Sequence, residues 1–122
     1  MNVNQANRRV VLVSRDLFFY SNIQFMASSL GAEASLMKSV PNVSDCHEQT
    51  CYVVDLELPG LDYGALGKLI EQQGCQVIGY APHVKTDLFE SARNAGVSRL
   101  FTRGQLNQST QQILSEGLSG NN

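Results

Sequence analysis

Apolar and polar positions follow two rhythms along this chain. Val10–Ser14, Cys51–Asp55 and Cys75–Tyr80 are short, nearly continuous apolar runs, the pattern of strands buried on both faces. Ala32–Met37 and Ser98–Thr102 predict two weaker strands. The intervening stretches have helical spacing. Asp16 is placed to cap a helix with apolar positions Leu17, Phe18, Ile23, Phe25, Met26 and Leu30, closed by Gly31. Asp62 caps a second helix holding Leu66, Leu69 and Ile70, which stops near Gly74. Thr86 or Asp87 opens a third, with Leu88, Phe89, Ala92 and Ala95, closed at Gly96. Gln105–Leu118, with Leu106, Ile113, Leu114 and Leu118, predicts a last helix. Pro41 to Glu48 is the least legible part, with one short helix from Val43. Phe18, Phe19 and Tyr20 cannot share one helical face, so at least one ring must point outward.

Strands alternating with helices imply an α/β domain: a parallel sheet with right-handed crossovers and helices on both faces. In such sheets the functional crevice lies at the carboxyl ends of the strands. Asp55 ends the third strand and should stand there, surrounded by Ser14, Arg15, Ala81 and Arg103. The expected organisation is a flexible N-terminus over 1–8, one domain over 9–118 and a flexible tail over 119–122.

Composition narrows the function. Apolar residues make up 43% of the chain and charged residues 16%, enough to build a core but leaving a surface rich in Ser, Asn and Gln. The net charge of −2, with no basic stripe, argues against nucleic acid. No apolar run approaches the roughly 20 residues that span a bilayer, and the cytoplasm is the expected location. Cys46, Cys51 and Cys75 are odd in number and widely spaced, unlike a disulfide framework. Cys46-His47 with Cys51 lacks the second ligand pair that structural zinc requires. Gly60-Leu61-Asp62-Tyr63-Gly64 lacks the spacing of a phosphate-cradling loop. His47 and His83 stand without a nucleophile or an orienting partner, so no enzyme constellation emerges.

The segment Val53-Val54-Asp55-Leu56-Glu57-Leu58-Pro59-Gly60-Leu61-Asp62-Tyr63-Gly64 resembles the phospho-acceptor segment of bacterial response-regulator receiver domains. Val77–Pro82 and Gly96–Arg103 are similar to two further segments of that family, and the resemblance runs from about Val10 to Leu114. It implies a three-layer, doubly wound, flavodoxin-like (CheY-like) fold with five parallel strands in the order 2-1-3-4-5. It also implies signal relay through protein contacts, with a histidine kinase or another signalling protein as partner, or a homodimer. The first helix is where such domains often meet kinases.

A working receiver resembles a small phosphoryl-transfer site: two acids help to bind Mg²⁺, while a lysine and a hydroxyl take charge on the phosphoryl oxygens. Carried over by position, the acidic pair falls on Ser14 and Arg15, the hydroxyl on Ala81, the lysine on Arg103 and the aromatic switch on Leu100. Only Asp55 remains of the chemical set. Asp16, one residue beyond the expected acids, reads as a helix cap first and as a metal ligand second. Arg15 or Arg103 is placed to pair with Asp55 and supply positive charge where the ion would sit. The expectation is therefore a degenerate receiver that needs no cofactor and no aspartyl phosphorylation. The alternative is a phosphorelay receiver phosphorylated on Asp55, with an unusual Mg²⁺ site that includes Asp16.

Overall fold

In the computed structural model, residues 8–42 and 49–119 are described. The apolar runs become parallel strands β1 (Arg9–Val13), β2 (Glu33–Met37), β3 (Thr50–Asp55), β4 (Cys75–Ala81) and β5 (Arg99–Thr102). They form one sheet in the order β2-β1-β3-β4-β5. The helices are α1 (Leu17–Ser29), α2 (Tyr63–Ile70), α3 (Thr86–Ala95), α4 (Arg103–Gln108) and α5 (Thr110–Ser119). The expected fold class and strand order are thus observed. The helix expected from Val43, and Cys46 and His47 with it, lies outside the described residues, as do 1–7 and 120–122.

The sheet is buried on both faces because alternate side chains of each strand feed a different layer. Val10, Leu12, Val53, Ile78 and Tyr80 pack with α1 and α5. Val11, Val13, Val54, Val77 and Ala81 pack with α2 and α3. Each fully buried Leu, Ile or Val contributes about 1.5–3 kcal/mol. The central strands β1 and β3 therefore anchor both cores, while the edge strand β2 is only half-buried.

Helix ends follow their predicted chemistry at three places. Asp16 and Asp62 accept from the backbone N–H of Phe19 and Ala65, and Gly96 closes α3 in the left-handed region at φ 107°. Three expectations need correction. The core stripe of α1 is Phe19, Ile23 and Ala27, whereas Leu17, Phe18 and Phe25 face outward. The i, i+4, i+8 spacing of the buried set explains this: it keeps one line against the sheet, and the exposed set lies off that line. The last helix is two helices. A Thr102–Gln105 capping box starts α4 two residues earlier than expected. The chain leaves helical geometry at Ser109 before α5 begins. Cys75, finally, is disulfide-bonded, which the odd cysteine count did not suggest.

Cys51 is free and fully buried, and burial pushes its thiol up to about 12. Its sulfur lies under Gly117 of α5, where an added Cβ would stand 2.6 Å from Sγ. That closeness lets α5 settle on β3. We predict that Gly117→Ala destabilises the fold by about 1–3 kcal/mol through overpacking. Adding Cys51→Ala should restore part of the loss. Urea unfolding of the single and double variants checks this, and additive losses would refute the contact.

Candidate functional site

The carboxyl ends of β1, β3, β4 and β5 converge at one edge of the sheet. Alternation along the strands decides which side chains meet there. Ser14 continues the Leu12 side of β1, Asp55 the Val53 side of β3, and Tyr80 the Ile78 side of β4. Asp55 and Tyr80 are also register partners. All three therefore face the layer of α1 and α5, whereas Ala81 faces the opposite core.

Ser14 is completely buried and its hydroxyl is the junction of the group. It donates to Asp55 Oδ2 at 3.0 Å and accepts from the Asp16 backbone N–H at 3.1 Å. The Tyr80 hydroxyl lies 3.4 Å away and donates to it. Asp55 Oδ1 accepts from the Glu57 backbone N–H at 2.9 Å, which pins the start of the turn after β3. Both oxygens of Asp55 are thus engaged by neutral donors. Burial pushes the Tyr80 phenol well above its ordinary range, so it stays protonated and available as a donor.

A second group stands beside the first. Arg103, the first residue of α4, forms an ion pair with Asp16 Oδ2, while Asp16 Oδ1 holds the N-terminus of α1. The Arg103 guanidinium lies 5.5 Å from the Phe19 ring centre and 5.7 Å from that of Tyr80. These two rings are 5.1 Å apart and tilted by 54°. The Phe19 backbone donor, and then Arg103, hold the Asp16 carboxyl below its ordinary range, against the opposing effect of burial.

The guanidinium expected at Asp55 is therefore found at Asp16. Arg103 is drawn there because Asp16 ends the neighbouring loop with a free oxygen, and two aromatic faces lie on the way. Arg15 is exposed and forms no ion pair with Asp55 among the described residues. Neighbours in extended chain point opposite ways, so burying Ser14 turns Arg15 outward. Ala81 is buried at the end of β4 beside Thr102, and Leu100 is half-buried against Gly79. Tyr80 is a participant that the sequence marked only as the end of an apolar strand run. Its signal was its place as the last residue before Ala81 on the Asp55 side of the strand.

Magnesium needs several hard oxygens with lone pairs to give. Here one candidate ligand is a hydroxyl donating into Asp55, and the carboxylate of Asp16 is held by a backbone N–H and a guanidinium. Among the described residues no group of three His, Cys, Asp or Glu side chains converges. These oxygens are already held within the fold, and an ion entering here would compete with those bonds.

No family model matches the chain, and no curated protein is significantly similar to it in sequence. Solved structures are similar in fold. The receiver domain of the sensor histidine kinase PA1611 from Pseudomonas aeruginosa PAO1, which holds a magnesium ion in its active-site cleft, is 20% identical with a TM-score of 0.73. The match covers 94% of this chain and all of that one. The phosphorylated cyanobacterial phytochrome response regulator RcpA is 16% identical, with a TM-score of 0.72 over 96% of this chain and 98% of that one. A response regulator from Colwellia psychrerythraea is 15% identical, with a TM-score of 0.65 over 93% and 98%. The chain thus has the receiver-domain fold.

Asp16 serves both α1 and Arg103, and two substitutions separate the roles. Asp16→Ala should cost about 0.5–2 kcal/mol from the lost cap, plus about 0.2–1 kcal/mol from the partly exposed ion pair. Asp16→Asn keeps a capping oxygen and should lose mainly the second part. The folded-state carboxyl is depressed below its ordinary value of 3.8. Its charge-dependent stabilisation is therefore present above pH 3.8 and lost as pH falls through the lower folded-state value. The stability gap between wild type and Asp16→Asn should be flat above about pH 5 and narrow in more acid solution. Denaturant titrations across that range check it.

Proposed function

We propose that this chain is an atypical receiver-like signalling protein that works through protein contacts without Mg²⁺-dependent phosphorylation of Asp55. The Arg103–Asp16 ion pair carries this reading. It commits to each other the residue at the lysine position and the acid next to the acidic-pair positions. Asp55 is left beside Ser14, a hydrogen-bond donor in the place of a metal ligand. A phosphoryl group arriving at Asp55 would find neither a divalent ion nor a free cation among these partners to offset its charge. The neutral donors on Asp55 instead suit a permanent carboxylate that fixes the loop after β3.

The fold supports a role in signalling, and the partner on this reading is a histidine kinase or another signalling protein rather than a substrate. The hydroxyl that meets Asp55, that of Ser14, is completely buried and closed to a substrate, which supports binding rather than catalysis. No helix among the described residues is long and apolar enough to cross a membrane. A cytoplasmic location fits the proposed role. The competing reading, phosphorylation of Asp55 with Asp16 as metal ligand, requires Arg103 to leave Asp16.

Two measurements separate these readings. Magnesium titration followed by amide NMR should give no saturable shifts around Asp55 in the wild type. Treatment with acetyl phosphate and Mg²⁺ should leave the mass unchanged. Saturation in the millimolar range, or a phosphoryl adduct that disappears in Asp55→Asn, would overturn the proposal.

A further inference from the structure

The outer face of α1 carries large apolar side chains that the fold leaves uncovered. Leu17, Phe18 and Phe25 are 67%, 90% and 71% exposed. At roughly 150–250 Å² per aromatic side chain, the two phenylalanines alone hold a few hundred Å² of apolar surface in water. Single exposed apolar residues are ordinary, but three on one 13-residue helix mark a contact surface. The helix has no Asp, Glu, Lys or Arg from Leu17 to Ser29. Its neighbour α5 exposes Gln111, Gln112 and Ser115, and its one acid, Glu116, is paired with Arg99. The face offers nothing to steer a charged partner and nothing to repel its own copy.

We propose that this face is a homodimer contact, α1 against α1 of a second copy, antiparallel about a two-fold axis at Ser21 and Asn22. The spacing selects this occupant. Phe18 and Phe25 lie seven residues apart, about 10 Å along the helix, with Ser21 and Asn22 at their midpoint. A two-fold axis there sets Phe18 of one copy at the level of the partner's Phe25, and the reverse, as a self-complementary interface requires. Ser21 is small and its hydroxyl already donates to Leu17 O at 3.4 Å, so it lets the helices approach without leaving a donor unpaired. Asn22 falls level with the partner's Ser21, whose hydroxyl has lone pairs left to accept from the amide, and that polar pair fixes register.

Charge agrees with the direction. Arg15, exposed just before α1, comes to the level of the partner's Ser28, in the last turn of that helix. That turn has no basic residue of its own to balance the negative end of the helix dipole. Parallel pairing would remove this match and set Phe18 against Phe18. One helix face roughly 20 Å long lies at the small end of stable interfaces, so the dimer should be a micromolar one. The proposal does not depend on the state of Asp55.

Sedimentation equilibrium of the full chain from about 10 µM to 1 mM tests it, over the range expected for a small interface. The wild type should show a monomer–dimer equilibrium. Phe18→Lys and Phe25→Glu, both at exposed positions, should each weaken it about tenfold or more, as buried aromatic anchors do. The double variant Phe18→Lys/Phe25→Glu should dimerise more tightly than either single one, because antiparallel pairing sets Lys against Glu twice. Circular dichroism controls for folding. A wild type that stays monomeric at the highest concentration overturns the proposal and leaves the face to a different protein. A dimer indifferent to both single variants, or a double variant no tighter than the singles, overturns it as well. Asp55→Asn should dimerise as the wild type does, so failure here and failure of the phosphorylation reading are separately visible.

Discussion

The pairing of Arg103 with Asp16 organises the working edge of this molecule. Asp16 begins α1 and Arg103 begins α4, so one ion pair ties together the two helices that start at the carboxyl ends of β1 and β5. Its intrinsic worth is modest. Both side chains are partly exposed, and pairs of that kind contribute about 0–1 kcal/mol. Its influence comes from position. The guanidinium covers the Phe19 and Tyr80 rings, and Tyr80 in turn reaches Ser14. The ion pair, the aromatic pair and the buried hydroxyl therefore form one connected group, and Asp55 is its last member.

That connection explains why a buried serine at the end of β1 carries no penalty. A hydroxyl has one hydrogen to donate and two lone pairs, and Ser14 uses all of them, on Asp55, Asp16 and Tyr80. Burying a polar group is costly only when it is left unpaired. A metal ligand in the same place would need its lone pairs directed at the ion. The chain has instead directed them at its own backbone and at a phenol. Ser14 is thus satisfied internally, and a group entering at its hydroxyl must first displace an existing bond.

Much of this was legible in the residues. Apolar run lengths and the Asp and Gly punctuation placed the strands and most helix ends, since these features depend on a few neighbouring residues. The Thr102–Gln105 capping box was equally local and was readable from spacing alone. Which acid Arg103 would choose was not local. Asp16 and Asp55 are both carboxylates at the same edge, and the choice depends on the Phe19 and Tyr80 rings lying along the path of the side chain. The outward turn of Phe18 and Phe25 was hidden for a related reason. With apolar residues spread around α1, hydrophobicity no longer distinguishes inside from outside, and the line Phe19, Ile23, Ala27 is buried while Tyr20 and Met26 flank it against the core.

The two unusual regions of the molecule have opposite character and adjoin at the start of α1. At Asp16 the chain places charge and satisfies it within the fold. From Leu17 onward it places large apolar groups and leaves them in water. Solvent exposure of Phe18 and Phe25 gives the isolated chain no stability, because their transfer energy is realised only when something covers them. The internally paired edge, by contrast, gains nothing from a ligand that would have to break its bonds. The large uncovered apolar area thus lies on the outer face of α1 and not in the crevice. On the reading proposed above, a receiver fold keeps its scaffold while the place where it meets another molecule moves from the strand ends to a helix surface.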